Sequence, residues 1–147
     1  MTDQELAFDD RVFVFETVMR VRNTEIDVGQ HLRLESLIAL LTEAQARFFY
    51  SKGIKEMSAD YQGLIVDSLQ LIVVSRVRVR EKLLFEVGIE NLSNDSGDMV
   101  IKVTRMYDGS LVAKAIKRFI HYDYRANKMI LFNSSIKEAL DQQRFEH

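Results

Sequence analysis

The sequence predicts an α+β fold in which an antiparallel five-stranded sheet wraps around one long central helix, followed by a short C-terminal helix. Two observations lead to this prediction. Residues 33–52 carry apolar side chains at helical spacing, and no other segment before the C-terminal tail has a comparable pattern. The remaining segments alternate between apolar and polar residues in the manner of strands. A single amphipathic helix must bury its apolar face against a second layer, and that layer is then the sheet.

Length and composition indicate one globular domain over residues 1–147, with 47% hydrophobic and 29% charged residues. The net charge of −2 gives no field that would draw the protein to nucleic acid or to a membrane surface. The absence of cysteine excludes disulfides, thiolate nucleophiles and cysteine metal sites. Residues 1–10 are acidic, so we expect a flexible N-terminal arm rather than a signal peptide. No apolar run approaches the ~20 residues of a membrane span, and the expected location is the cytoplasm.

The first strand and the long helix are the earliest elements along the chain. The strand is predicted within residues 11–23, where the apolar side of the alternation consists of Phe13, Phe15, Met19 and Val21. The helix has an apolar stripe that consists of Leu34, Leu37, Ile38, Leu41, Ala44 and Phe48. Gly53, directly after Lys52, is typical of a helix end. We expect the stripe to pack in the core.

The chain after the helix is predicted to be mostly strand, beginning after an irregular polar segment at residues 54–62. Strands are predicted at residues 64–80, 83–89, 99–107 and 110–124. Turns are predicted at residues 94–98, 108–109 and 125–128. The pair Asp108-Gly109 is a strong hairpin signal. Ser135 and Glu138 have the spacing of a capping box, which predicts a helical tail over residues 134–147.

The segment entering the helix, RNTEIDVGQHLRLESLIALLTEA, resembles the hotdog-fold acyl-CoA thioesterases of the 4-hydroxybenzoyl-CoA type. In that family a strand leads into an R-x-x-D-x-D-x-x-G-H-V-N-N-like turn, and the helix that follows carries an E-A pair. The matching positions in this sequence are Arg22, Glu25, Asp27, His31 and the pair Glu43-Ala44. The last strand, DGSLVAKAIKRFIHYD, also resembles the family's last core strand, so the resemblance covers nearly the whole chain.

Several positions depart from the family pattern. Gln30 replaces the glycine before the histidine, and Arg33 and Leu34 replace the paired asparagines. Arg76 and Arg80 stand where the family often has proline and glycine. These departures keep open an alternative, a non-catalytic hotdog module that binds an acyl-CoA or an acyl-carrier ligand. A dehydratase of the same fold would need a histidine and an acid at a different spacing.

The resemblance implies hydrolysis of the thioester of a small or medium acyl-CoA, with coenzyme A as part of the substrate and no separate cofactor. Asp27 would act as nucleophile or as general base, and His31 would polarise the carbonyl or orient Asp27. Backbone N–H groups at the start of the helix would stabilise the oxyanion. Without the resemblance, an aspartate before a helix is most often a turn or capping residue.

Further candidate residues lie on the helix and on the long strand. Glu43 is the second acid candidate, because related hotdog enzymes place their acid on this helix, although its spacing points away from the stripe. The predicted substrate-binding residues are Gln30, Leu32, Arg33, Arg76, Arg78 and Arg80. The last three alternate with valines on one predicted strand face, which fits either a contact to CoA phosphates or a solvated edge-protecting face.

No metal site is expected, because the three histidines lack metal-ligand spacing. A sheet with one helix on one face leaves its edges uncovered, which favours self-association. The family forms dimers with active sites at the subunit interface, and often tetramers, so a homodimer or homotetramer is expected. Candidate acyl-pocket, interface or core residues are Phe48, Phe49, Tyr50 and Tyr61.

Overall fold

The computed structural model describes Leu6 and residues 8–141, and contains one antiparallel sheet with a long helix packed on one face. The strands are β1 (Phe13–Arg20), β2 (Gln62–Val73), β3 (Lys82–Glu90), β4 (Ser96–Arg105), β5 (Leu111–Asp123) and β6 (Lys128–Ile130). The helices are α1 (Leu34–Ser51) and α2 (Ser134–Leu140), and short 3-10 turns flank β1 at Asp10–Val12 and Asn23–Glu25. The strand order is β1-β3-β4-β5-β2, with β6 paired to β5, so β1 and β2 are edge strands.

Helix α1 has the bounds that its sequence pattern predicts. Arg33 and Lys52 are its capping residues, and Gly53 leaves the helix at φ 71°. Leu41, Ala44 and Phe48 are fully buried. They pack against inward-facing side chains of the central strands, which include Phe85, Val87, Ile101 and Val103. Burial of each large apolar side chain stabilises the fold by about 1.5–3 kcal/mol, so these residues fix the helix on the sheet. Leu34, at the start of the predicted stripe, is exposed instead of lying in the core.

Two elements of the C-terminal region differ from the prediction. The sheet has a sixth strand, β6, which pairs with β5 through Lys128 to Ile130 and is too short to leave an alternation pattern. Helix α2 begins two residues earlier than the predicted capping box allows. Its cap is Asn133, whose Oδ1 accepts the N–H of Ile136 at 2.8 Å, so the predicted capping role of Ser135 is wrong.

The predicted strand over residues 64–80 is too long, because β2 ends at Val73. The N–H groups of Val74 and Ser75 still donate to the carbonyl of Val112, at 2.8 and 3.3 Å, and the chain then leaves the sheet. Val77 is buried, as its pattern predicts, but its carbonyl accepts the N–H of Leu32 at 2.7 Å instead of a sheet neighbour.

As a consequence, the prediction that Arg76, Arg78 and Arg80 lie on one face of a strand is wrong. They lie on the connection between β2 and β3, and Arg80 has a left-handed backbone with φ 73°.

The predicted N-terminal arm and C-terminal tail fall partly outside the described residues, which exclude 1–5, 7 and 142–147. Within the described part, Leu6 is buried and α2 accounts for the first half of the tail. None of the helices in that part is both long enough and apolar enough to span a membrane.

Candidate active site

The loop between β1 and α1 forms a tight turn that places Asp27. Ile26 and Leu32 pair across it as an isolated bridge. The N–H of Asp27 donates to the carbonyl of His31 at 2.8 Å, and the N–H of Gln30 donates to the carbonyl of Asp27 at 3.0 Å. In addition, Asp27 Oδ1 accepts the N–H groups of Gly29 at 2.9 Å and His31 at 3.1 Å. The turn therefore fixes both the backbone and one carboxylate oxygen of Asp27.

These contacts also determine the charge state of Asp27. The hydrogen bond from the His31 N–H, together with that from Gly29 and the electrostatic influence of the His31 and Arg76 side chains, holds the pKa of Asp27 below its ordinary value. The side chain is therefore a carboxylate at neutral pH. Its second oxygen, Oδ2, accepts no hydrogen bond from any residue that the structure describes.

Gln30 occupies a position of the turn that requires a left-handed backbone, with φ 69°. Glycine adopts this conformation without steric cost, whereas an L-residue with a Cβ loses about 1–2 kcal/mol. The turn at this position therefore has a backbone conformation that favours glycine, although the residue is glutamine. The carbonyl of Gln30 accepts the N–H of Val79 at 3.3 Å, which joins the turn to the β2–β3 connection.

Asp27 lies on a cleft of about 340 Å³ between the turn, the start of α1 and the β2–β3 connection. His31 and Arg76 are the other charged or titratable residues on it, and Ser75 adds a hydroxyl. The rest of the lining is apolar and consists of Leu32, Leu34, Leu37, Val73, Val77 and Val112. A concave, mainly apolar site with a few convergent polar groups is typical of a small-molecule site.

The start of α1 carries unpaired backbone donors beside this cleft. The first N–H groups of any α-helix have no partner within the helix and carry the positive end of its dipole. The capping residue, Arg33, does not satisfy them with its side chain. Its guanidinium turns away, to the carbonyl of Thr24 at 3.3 Å and to Glu35 at 3.6 Å. Donors near Leu34 are therefore available to stabilise negative charge.

Glu25 supports the turn through its contacts with Arg22 and Arg33. It is 7% exposed, and its Oε1 and Oε2 accept the backbone N–H and the guanidinium Nη2 of Arg22, each at 2.8 Å. Burial raises the pKa of Glu25, but the hydrogen bonds from Arg22 outweigh it and the pKa lies below its ordinary value. The backbone carbonyl of Glu25 accepts the N–H of Arg33 at 2.9 Å. This glutamate is thus structural, and it fixes the entry into α1.

Replacing Glu25 with glutamine is expected to lower the free energy of unfolding by about 1–2 kcal/mol at pH 7, because a charged hydrogen-bond acceptor becomes neutral. The difference from wild type should be present above about pH 4.3, the unfolded value, and should be lost as the pH falls through the lower folded value. Urea unfolding across this range measures it. Glu56→Gln, in an exposed loop, is the control. A difference that does not change with pH would contradict the ion pair's role.

Glu43 does not share the Asp27 cleft within one protomer. It lines a separate cleft of about 620 Å³ with Arg22 and Arg47. Its carboxylate accepts Arg47 Nε at 2.8 Å, and Arg47 also donates to Thr17 Oγ1 at 2.7 Å. The structure therefore places the second acid candidate in a surface ion pair.

The predicted substrate-binding residues separate into two groups. Leu32 and Arg76 line the Asp27 cleft. The cleft lining does not include Gln30, Arg33, Arg78 and Arg80, which are exposed.

Among the aromatic candidates, Phe48 and Phe49 are in the core, whereas Tyr50 and Tyr61 are exposed. The cleft also contains Ser75, on the β2–β3 connection, and Val112, on β5, which the sequence did not indicate because the cleft forms only where the connection folds back over the sheet. The sequence signal nearest to Ser75 is the run of arginines that follows it.

A third cleft, of about 890 Å³, has polar walls between Asp9, Glu90 and Lys137, and none of the predicted site residues is among its described lining residues. The described residues also contain no cluster of three His, Asp or Glu side chains that could hold a metal ion. Of the predicted site residues, the Asp27 cleft therefore brings together Asp27, His31, Leu32 and Arg76.

Solved structures of other proteins share this architecture. A 1,4-dihydroxy-2-naphthoyl-CoA thioesterase from Synechocystis is 13% identical, with a TM-score of 0.80 over 86% of this chain and 94% of that chain. A probable thioesterase from Escherichia coli is 22% identical, with a TM-score of 0.76 over 86% of this chain and 96% of that chain. A hypothetical protein from Staphylococcus aureus, solved in complex with CoA, is 16% identical, with a TM-score of 0.80 over 85% of this chain and 80% of that chain. These similarities confirm the predicted hotdog fold.

A comparison with curated protein sequences gave no match. A family model, in contrast, matches most of the chain, over residues 21–140. The matched range contains the Asp27 turn, the long helix and the strands of the sheet that follow it. The chain therefore belongs to the thioesterase-like superfamily.

Proposed function

We propose that the protein hydrolyses the thioester of a small or medium acyl-CoA, with Asp27 as nucleophile or general base. The observation that carries this proposal is the position of Asp27. Its carboxylate lies on an apolar cleft, ionised and fixed by backbone N–H groups, next to the uncapped start of α1. A thioester carbonyl in this cleft would meet an acid on one side and oxyanion donors on the other.

Two routes lead from this arrangement to the same products. In the nucleophilic route an Asp27 oxygen attacks the carbonyl carbon, the C–S bond breaks to release the CoA thiolate, and water then hydrolyses the mixed anhydride. In the general-base route Asp27 takes a proton from the attacking water, and that proton passes to the leaving sulfur. The lowered pKa of Asp27 keeps it ionised, as both routes require. In both routes His31 would help to orient the carbonyl.

The cleft also bears on the substrate class. Its volume of about 340 Å³ is at the lower end of the range for ligand sites, which favours a small or medium acyl group. Coenzyme A as the leaving group is supported by the CoA complex of the Staphylococcus aureus protein. Arg76 is beside Asp27, and therefore near the thioester, so its charge would act on the reacting groups. The long pantetheine arm separates these groups from the phosphates, for which Arg78 and Arg80 are the better candidates.

The protein would act as a homodimer or as a homotetramer. Strand β2 is at the edge of the sheet, and beyond its first residues, where Gln62 and Gly63 pair with Ser58 and Met57, no described strand lies on its outer side. This edge carries exposed apolar side chains, at or just after the strand: Leu69, Val73 and Val74. Pairing of two β2 edges would cover them and would bring a second copy close to the cleft, since Val73 lies on both.

One observation favours the alternative of a binding module without turnover. Asp27 Oδ1 accepts two backbone N–H groups, which is also what a purely structural turn residue does. In that case the cleft would bind an acyl-CoA or an acyl-carrier ligand and release no thiol.

A panel of acyl-CoAs of increasing chain length, together with aromatic acyl-CoAs, tests the proposal by release of free thiol. We expect turnover with short or medium acyl groups and a decline for long chains that exceed the cleft. Calorimetric titration of CoA is measured in parallel. Binding without thiol release from any member of the panel would favour the binding module, and neither binding nor release would contradict both.

A further inference from the structure

The connection between β2 and β3, residues 74–81, forms one wall of the Asp27 cleft. On the side of the cleft it is joined to the Asp27 turn, since the carbonyl of Val77 accepts the N–H of Leu32 at 2.7 Å. Arg76 projects from this connection into the cleft, where its charge faces Asp27. The place of the Arg76 guanidinium therefore depends on how the backbone of the connection is held.

Arg105, at the end of β4, holds the connection from the other side. Its Nε donates to Glu81 Oε1 at 3.1 Å, and its Nη1 donates to Ser75 Oγ at 3.1 Å. Its Nη2 donates to the backbone carbonyl of Arg76. The Arg105 side chain is only 15% exposed, so these bonds are shielded from water. One guanidinium thus contacts Ser75 and Arg76 near the start of the connection and Glu81 at its end.

The groups that Arg105 contacts are themselves fixed. Ser75 Oγ donates to the carbonyl of Leu111 at 2.7 Å, which leaves its lone pairs for Arg105. Glu81 Oε2 accepts the N–H of Arg78 at 2.7 Å, so the same carboxylate closes the end of the connection. Arg105 Nη1 also donates to Ser110 Oγ at 3.0 Å, on the turn between β4 and β5. The planar fork of arginine suits this set of acceptors, and lysine does not have it.

We propose that Arg105 is a positioning residue of the active site, which holds the 74–81 connection so that Arg76 keeps its place on the Asp27 cleft. This inference rests on the proposed function, because it assigns Arg105 to the same cleft. Arg105 does not line the cleft; it contacts Ser75 and the carbonyl of Arg76, which do, and its effect on the charge facing Asp27 runs through Arg76. The charged or titratable groups that face Asp27 are Arg76, from the connection, and His31, from its own turn.

A double-mutant cycle of Arg105→Met and Arg76→Met tests this role. Each single variant is expected to lower kcat/KM by about 10- to 100-fold, the effect of displacing a group at a reacting centre. Because Arg105 acts through Arg76, adding Arg105→Met to Arg76→Met should cause little further loss. Both single variants should also move the acidic limb of the pH profile to higher pH, because Asp27 loses a facing positive charge.

The control is Lys102→Met, which removes another cation of β4. The Lys102 ammonium forms an ion pair with Asp10 at 3.4 Å, away from the cleft. This variant should leave kcat/KM and the pH profile unchanged. If Arg105→Met does not fold, Glu81→Gln takes its place in the double-mutant cycle, because it weakens the ion pair between Arg105 and Glu81. Additive losses in the double variant, or a loss of activity with an unshifted acidic limb, would overturn the role of Arg105.

A second readout does not depend on turnover. The titration of the Asp27 carboxyl carbon is followed by NMR in the wild type and in the two single variants. Upward shifts of the Asp27 midpoint in both variants support the inference even for a wild type that releases no thiol, which would defeat only the proposed hydrolysis. An Asp27 titration that is unchanged in Arg105→Met, but shifted in Arg76→Met, would overturn it.

Discussion

Asp27→Asn is expected to lower kcat by about 10²–10⁴-fold, the contribution of a positioned acid–base or nucleophilic group. The substitution is chosen because asparagine retains an oxygen at the Oδ1 position. That oxygen still accepts the N–H groups of Gly29 and His31, so the turn is kept while the negative charge is lost. The loss should therefore be in kcat, with little change in the KM for acyl-CoA.

The matched control is Asp123→Asn. Asp123 Oδ1 also accepts two backbone N–H groups, those of Arg125 and Ala126, each at 2.9 Å. The turn at Asp123 is not part of the cleft, so this variant should retain wild-type turnover. Circular dichroism and thermal unfolding show whether both variants fold. Full activity in a folded Asp27→Asn would leave only the binding and structural roles for this residue.

The pH dependence of the wild type adds to this test. Because backbone N–H groups and facing positive charge lower the pKa of Asp27, the carboxylate persists below the ordinary aspartate range. The acidic limb of kcat/KM should therefore fall at lower pH than a solvated aspartate would give, as long as the protein stays folded.

Lys117→Met is expected to raise the free energy of unfolding by about 1–3 kcal/mol at pH 7, although it removes a charged residue. Lys117 is 4% exposed, and in the sheet it lies between Leu69 and Met99. Its Nζ donates to Thr42 Oγ1 at 3.3 Å, and no carboxylate of the described residues forms an ion pair with it. A buried ammonium with one weak acceptor destabilises the folded state.

The pH dependence identifies the cause. Burial lowers the pKa of Lys117 to about 8, while an unfolded lysine titrates near roughly 10.4. Between these values the unfolded state binds more protons, so this group makes stability increase with pH over that window, by up to about 3 kcal/mol. Below about pH 8 the buried Lys117 ammonium destabilises the folded state to its full extent. Lys117→Met should therefore lose this alkaline increase, and the difference from wild type should shrink as the pH rises.

Denaturant unfolding of wild type and variant at pH 7, 8, 9 and 10 measures both effects, since other titrating groups cancel in the difference. Lys55→Met, at an exposed loop position, is the control and should leave stability nearly unchanged. A variant that is less stable than wild type at pH 7 would show that the ammonium is bound to an anion in solution, for example in the assembled protein.

The Asp27 turn is the part of the site that sequence could predict. Its hydrogen bonds join residues only a few positions apart, so the residues from Asp27 to His31 contain most of what fixes it. The role of Arg105, in contrast, had no local sequence signal. It acts on residues 75–81 through contacts that cross many sequence positions, and its strand pattern is the same with or without them.

By itself the sequence determined the long helix, the antiparallel sheet with its core face, and the acid at the helix entrance. Spacing of apolar residues encodes which side of a local element is buried, and this is enough to place α1 and most strands. Only the tertiary structure decided where β2 ends, which arginine reaches the cleft and which strand residue supports it. The alternating segment 74–80 satisfies its pattern equally well in a sheet or against the Asp27 turn, because a pattern specifies the buried side chains but not the backbone partner.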